Sequence, residues 1–478
     1  MASGSNTCVV ELATYPEVPP PTKNGAGILG GDQRSWQQGA KRLGLSGDGN
    51  SSAPSQMEQV EAGDLVTSDG PFVEVTEKWN SPPINKSRVG ATFWSMMVMG
   101  ANDAAYGALI PYLEKYYGLT YTIVSLVFLS PLVGYAASAI LNNYLHLRIG
   151  QRGISMLCAG CHMAAYIIIC LHPPYPVLVV TFILAGFGNG IGDAAWNAWM
   201  GSLDKASELL GFLHAFYGVG GVISPLIATT LITKANLPWY TFYYLMAGLS
   251  AVELAVLTSS FWASTGQAYR ALHQRHQSES NGGLKTALFH MPAARVSWIS
   301  AGFLLVYVGV EVALGGWIVT FMLQVRGGEA FASGMTAMGF WLGMTVGRAV
   351  LGFVTPRIGV KVAISSYITA AMGLQLLFWL VPNFYVSAVA VAFQGFFLGP
   401  LFPGIVLVAS ALLPRHLHVV VIGFAAAFGG CGAAILPFAV GVLAQASGVK
   451  VLQPIILALL GALIVLWVLL PRIGKKRE

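Results

Sequence analysis

Beyond residue 88 the chain alternates long apolar runs with short polar joints. A helix rises about 1.5 Å per residue, so about 20 apolar residues cross a hydrocarbon core of about 30 Å. The pattern predicts twelve such helices, over 89–112, 119–142, 152–171, 174–200, 207–233, 239–263, 296–323, 331–354, 360–381, 384–412, 417–444 and 450–470. Residues 1–88 are rich in Gly, Ser, Pro and charge and have no sustained period, which predicts a disordered tail. That tail opens without a basic segment leading into an apolar core, so a signal peptide is not expected. The longest joint, 264–295, lies between spans six and seven, and a short basic tail, 472–478, follows span twelve.

Composition sharpens this picture. Hydrophobic residues make up 55% of the 478 and charged residues 10%, against about 25% charged in soluble domains. A soluble enzyme or nucleic-acid-binding domain is excluded on that ground. The net charge of +6 reflects topology instead. With a cytoplasmic N-terminus, seventeen Lys and Arg flank the inner ends of the spans, and only Lys115, Lys234, Arg326 and Lys450 the outer ends. Both termini and the 264–295 joint are therefore expected in the cytoplasm. Under that topology the sequons at Asn50 and Asn85 would not meet the glycosylation machinery. Four of the five cysteines lie in apolar runs, and the Cys158-x-x-Cys161 pair has no second ligand pair, so packing is expected rather than metal binding.

An internal repeat organises the spans. "RIGQR" at 148–152 returns as "RIGVK" at 357–361, 209 residues later. At the same offset Gly134 matches Gly343, Gly186-Phe187 matches Gly395-Phe396, and Gly190 matches Gly399. "GFLHAFYGVGGVISP" (211–225) matches "GFAAAFGGCGAAILP" (423–437) at an offset of 212. Six spans per half keep the two halves in the same orientation. The expected fold is an all-α membrane protein, with twelve transmembrane helices in two parallel six-helix bundles, 89–263 and 296–471.

On these features the sequence resembles the major facilitator superfamily. The superfamily's loop signature, G-x-x-x-D-[RK]-x-G-[RK]-[RK], falls after spans two and eight. The first copy keeps Arg148, Gly150 and Arg152, and the second keeps Arg357, Gly359 and Lys361, while Leu147 and Pro356 replace the acid. The resemblance implies that these six residues belong to a gating loop. Within the superfamily, "GNGIGDAAWNAW" (188–199) and "GANDAAYGALIP" (100–111) are similar to spans four and one of fucose-permease-like proton symporters, and the chain resembles fungal members. The resemblance implies alternating access around a cavity lined by spans one, four, seven and ten.

The polar residues inside the spans are the candidate site. A charge in the hydrocarbon centre is costly, so Asp193 is expected to face protein or a water-filled cavity. It is the leading candidate for proton coupling, with Asp103 assisting; the two acids are expected to face each other across the cavity. Asn102, Tyr106, Trp196, Asn197, His214, Glu311, Arg348 and Gln394 are candidates to line it. Arg348 needs an anion, which is either Glu311 or a substrate carboxylate. Glycines 186, 188, 190 and 192 are expected to let neighbouring helices approach closely.

Nothing in the sequence forms a nucleophile–base pair, a metal site or a phosphate loop, so no enzyme activity and no cofactor are expected. The sequence reads as a monomeric secondary transporter in a lipid bilayer, moving a small polar organic solute, a sugar or a carboxylated metabolite, with protons as coupling partner. An exporter of fungal secondary metabolites, an organellar metabolite transporter and a non-transporting sensor or scaffold are the alternatives. Plasma membrane and organelle membrane are not distinguished by the sequence.

Overall fold

The computed structural model describes residues 77–273 and 288–471. Most of the expected tail, the middle of the 264–295 joint and the basic 472–478 segment lie outside the described residues. Among the described residues fourteen α-helices carry the fold: α1 Ile84–Tyr117, α2 Tyr121–Val124, α3 Leu126–Cys170, α4 Tyr175–Gly201, α5 Ala206–Thr233, α6 Thr241–Ser260, α7 Gly266–His273, α8 Ala293–Gln324, α9 Ala330–Ile358, α10 Val360–Leu380, α11 Phe384–Leu398, α12 Leu401–Leu412, α13 Arg415–Ser447 and α14 Leu452–Leu469.

Among the described residues, ten stretches are long and apolar enough to cross a membrane. One of them, 121–170, is two spans joined at Gly150, whose φ of 66° breaks the helix. Helix α1 adds a further crossing of 34 residues; its polar middle lowers its hydropathy. The twelve expected spans are thus present. Span two is α2 with the first part of α3, span three is the rest of α3, and spans four to six are α4 to α6. Spans seven to nine are α8 to α10, span ten is α11 with α12, and spans eleven and twelve are α13 and α14. Spans one and two run past their expected ends, to Tyr117 and to the break at Gly150, and three further differences stand out. The first helix begins at Ile84, five residues early; span ten breaks at Gly399-Pro400; and α7 is an extra short helix after span six. In the first turn of α1, Asn85 is buried and donates to Glu77 Oε2 at 3.0 Å, so this sequon is sterically closed.

Large apolar side chains on the outward faces are exposed, Ile140 by 81% and Phe353 by 76%. In lipid that is their favourable environment, while helices satisfy their own backbone hydrogen bonds.

The repeat is visible in the packing. In each half the first span packs on the fifth and sixth, the second on the fourth, and the third on the sixth. Across the halves, span five packs on span eight and span two on span eleven. A Cβ on Gly134 would fall on the backbone of Ile183 and Phe187; one on Gly343 would fall on Ala392 and Phe396, the residues 209 positions later. Gly186 meets Pro131 and Gly395 meets Phe340 in the same way. These glycines let the helix backbones touch, as small residues do in membrane bundles.

The two signature loops also repeat. Gly150 and Gly359 both have positive φ, 66° and 92°, which glycine adopts without steric cost. Arg152 donates to the Trp262 carbonyl at 3.4 Å and lies over the Trp262 ring. Its repeat partner Lys361 donates to the Trp467 carbonyl at 2.7 Å and lies over the Trp467 ring. Each cation thus caps the C-terminal end of the sixth helix of its own half. Arg270 on α7 donates to the Leu147 carbonyl at 2.7 Å, beside the position where the family has its acid. Arg148 bonds Tyr144 on its own helix and Arg357 is exposed. Each of these loop contacts is made within a half.

Candidate functional site

Asp193 lies in the glycine-rich part of span four and is half-buried. Asn197, one turn on, donates from Nδ2 to Asp193 Oδ1 at 2.8 Å. Its Oδ1 faces His214 Nε2 of span five at 3.2 Å. An amide oxygen only accepts, so the ring carries its proton on Nε2. His214 lies on the face of span five that meets the second half. Its ring is 6.0 Å from Phe402 of span ten, and Gly218, one turn on, abuts Thr345 of span eight. A hydrogen-bonded chain, Asp193–Asn197–His214, therefore runs from span four to the interface between the halves. The sequence lists all three residues; the structure joins them.

Asp103 on span one is a hub. It accepts from Tyr217 OH of span five at 2.9 Å, from Asn189 Nδ2 of span four at 3.2 Å and from Asn102 Nδ2 at 3.1 Å. Asn102 also donates to Tyr106 OH at 2.8 Å, and both are buried, with Tyr106 edge-on to Phe128 and Phe182. They hold Asp103 and are not open to a cavity. Asp103 and Asp193 make no hydrogen bond to each other; Tyr135 of span two stands beside both.

In the second half Arg348 donates to Glu311 Oε1 at 3.0 Å, to Tyr307 OH at 3.4 Å and to the Gly399 carbonyl at 3.3 Å. Of the two anions open to Arg348 in the sequence, the structure supplies Glu311.

Two expected lining residues lie elsewhere. Trp196 is fully buried, stacks on Phe261 at 5.5 Å and donates to Ser95 Oγ at 3.1 Å. It is three residues from Asp193 and Asn197 is four, so the two diverge by about 100° around the helix, and Trp196 turns towards spans one and six. Gln394 is fully buried and donates to Gln375 of span nine at 2.9 Å, which donates to Gln453 of span twelve at 2.6 Å. This ladder lies inside the second bundle.

One buried cluster is absent from the expected site. Glu253 of span six and His162 of span three are both fully buried and 3.0 Å apart. Ser95 of span one donates to Glu253 Oε1 at 2.6 Å. Glu253 is an acid in an apolar run, the same signal that marks Asp193.

The hydrogen bonds and ion pairs between the halves lie at one end among the described residues. Tyr121 bonds Gln324 and Gln445, and Lys234 lies 3.9 Å from Glu329. This is the end that the Lys and Arg pattern of the sequence leads one to expect outside. The Asp193 chain lies on the other side of it.

Comparison with known proteins bears on this arrangement. The profile of the Major Facilitator Superfamily matches residues 92–365. Bypass of stop codon protein 6 of Saccharomyces cerevisiae is 30% identical over 431 residues, 84% of this chain and 85% of that protein. The glucose/mannose transporter GlcP of Bacillus subtilis is 20% identical over 72% of this chain and 84% of its own. Among solved structures, a D-xylose-proton symporter superposes with a TM-score of 0.64 at 14% identity, covering 82% of this chain and 99% of its own. A bacterial homologue of the human lysosomal transporter Spinster, inward-facing and occupied, superposes with a TM-score of 0.61 at 13% identity, covering 83% and 98%.

Proposed function

The chain belongs to the major facilitator superfamily, as a multi-pass membrane transporter, and from that premise we propose that it couples proton movement to transport of a small neutral polar solute, a sugar first. The observation that carries this reading is the Asp193–Asn197–His214 chain, which connects a half-buried acid to the face where the two halves meet. Asp193 is the coupling acid. Asp103 accepts from three side chains and would lose one of those bonds on protonation, whereas Asp193 accepts from one and keeps an open oxygen. Asp103 assists by holding spans one, four and five together around its carboxylate.

Sugar is favoured over a carboxylated metabolite because Arg348 is already neutralised by Glu311. Two of the similar proteins are named for sugars, which supports the same class. The likeness to fucose-permease-like symporters supports symport. The contacts sealing the Tyr121–Gln445 end correspond to one end-state of alternating access, open towards the cytoplasm in the topology the charges favour.

The test is uptake by purified protein in proteoliposomes with an imposed pH gradient, screened over hexoses, pentoses and organic acids. Gradient-driven accumulation of a sugar is the expected result. Accumulation of an organic acid alone would replace the substrate class. Binding without flux for every solute would make the protein a sensor.

A further inference from the structure

The core of the first bundle holds an unfinished hydrogen-bond chain. His162 Nδ1 bonds Glu253 at 3.0 Å, but its Nε2 is buried without a partner. Span four passes close by: a Cβ on Gly188 would lie 2.9 Å from that Nε2. The next residue, Asn189, faces the ring, and its Oδ1 is likewise buried without a partner. Asn189 uses its other end, Nδ2, to donate to Asp103. One hydrogen, on His162 Nε2, would satisfy both orphans. An unpaired buried polar atom is costly, so leaving two side by side is unfavourable.

An amide has one donating end and one accepting end. Between Asp103 and His162, Asn189 therefore pairs fully in only two ways, with Tyr135 beside the same amide. In one, His162 carries both ring protons and donates to Oδ1, while Nδ2 donates to an ionised Asp103. In the other the amide is turned over, Nδ2 donates to a bare Nε2, and a protonated Asp103 donates to Oδ1. Each arrangement holds one proton on the pair. With Glu253 ionised, as the acceptor of the Ser95 hydroxyl, the His162 Nδ1–H bond to it persists in both.

We propose that His162 and Asp103 are alternative sites for a single proton, made mutually exclusive by Asn189. The His162–Glu253 pair is then a second proton-binding site, in the bundle core and outside the Asp193 chain. Protons enter and leave from the half-exposed side of Asp103, beside Tyr135 and Tyr217. On the far side His162 is enclosed by Cys158, Glu253 and the stacked ring of Tyr166. The site extends the proton-coupling reading above, but its test needs no substrate, so the two fail separately.

The experiment is solid-state NMR of the full chain, labelled with ¹⁵N-histidine and reconstituted in lipid vesicles at pH 7. Loss of one resonance pair in His162→Gln assigns the ring. Both nitrogens of His162 should be protonated in the unmodified chain, with Asp103 ionised. In Asn189→Leu, Nε2 loses its acceptor and its signal should move to the unprotonated position, while Nδ1 stays protonated. Asn189→Ser, a smaller change, should move it the same way if the leucine variant does not fold. A neutral His162 at pH 7 beside an ionised Asp103 would overturn the proposal. So would an imidazolium signal indifferent to both Asn189 variants. Stoichiometric zinc in the purified protein, lost in Cys158→Ser, would also overturn it, since the cluster would then be a metal site.

Discussion

In the first half the interior carries ionisable side chains: Asp193 linked through Asn197 to His214, Asp103, and His162 with Glu253. The second half, built on the same repeat with its glycines at the same crossings, carries a closed ion pair and a ladder of three glutamines. Gly134 and Gly343 do the same work, as do Arg152 and Lys361. His214 stands opposite Ala426 in the repeat, and Arg348 opposite Ala139. The duplicated part is the scaffold, where backbone contact constrains residue choice. The interior is where the copies have diverged: among the described residues Asp103, Asp193, His162 and His214 stand in the first half, and the Arg348–Glu311 pair in the second. On the function proposed above, proton handling falls to the first bundle, while the second holds a fixed charge pair.

Changes to the second half should therefore alter folding before they alter coupling. The largest expected effect is Arg348→Ala, which leaves Glu311 buried without its cation, at about 3–5 kcal/mol. Folded yield on size-exclusion chromatography should fall sharply, and Glu311→Ala added to it should restore much of the loss. Normal yield with loss of solute binding would instead make Arg348 a substrate ligand.

The crossing glycines test the symmetry. Gly134→Ala and Gly343→Ala should each destabilise by about 1–3 kcal/mol through overpacking, read as similar drops in thermal unfolding temperature in detergent. A large cost in one half and none in the other would show that the two scaffolds are not equivalent. A smaller effect is expected from Gln394→Leu, about 0.6–1.7 kcal/mol from one interhelical hydrogen bond in a membrane bundle, with transport unchanged. Lost transport at full stability would return Gln394 to the cavity.

Much of this architecture was legible in the sequence, because apolar length and glycine repeats record constraints that act locally. Arg348 announced its need for an anion, and Asp193 and Asn197 lie at the i,i+4 spacing that pairs them. What the sequence could not supply was the direction each helix faces. Trp196 and Gln394 are on cavity-lining spans yet turn into the bundle cores. Glu253 and His162 carry a readable signal, but they lie on spans six and three, outside the four spans expected to line the cavity, and so are not among the expected site residues. The link from Asn197 to His214 joins two helices through one contact, and no spacing encodes it.

The central claim is that Asp193 carries the coupling proton. Asp193→Asn keeps the shape and a hydrogen bond to Asn197 but removes the titrating group. In proteoliposomes with an imposed pH gradient, this variant should lose accumulation of the solute while keeping solute exchange at equal pH on both sides. Undiminished gradient-driven accumulation by well-folded Asp193→Asn protein would contradict the account.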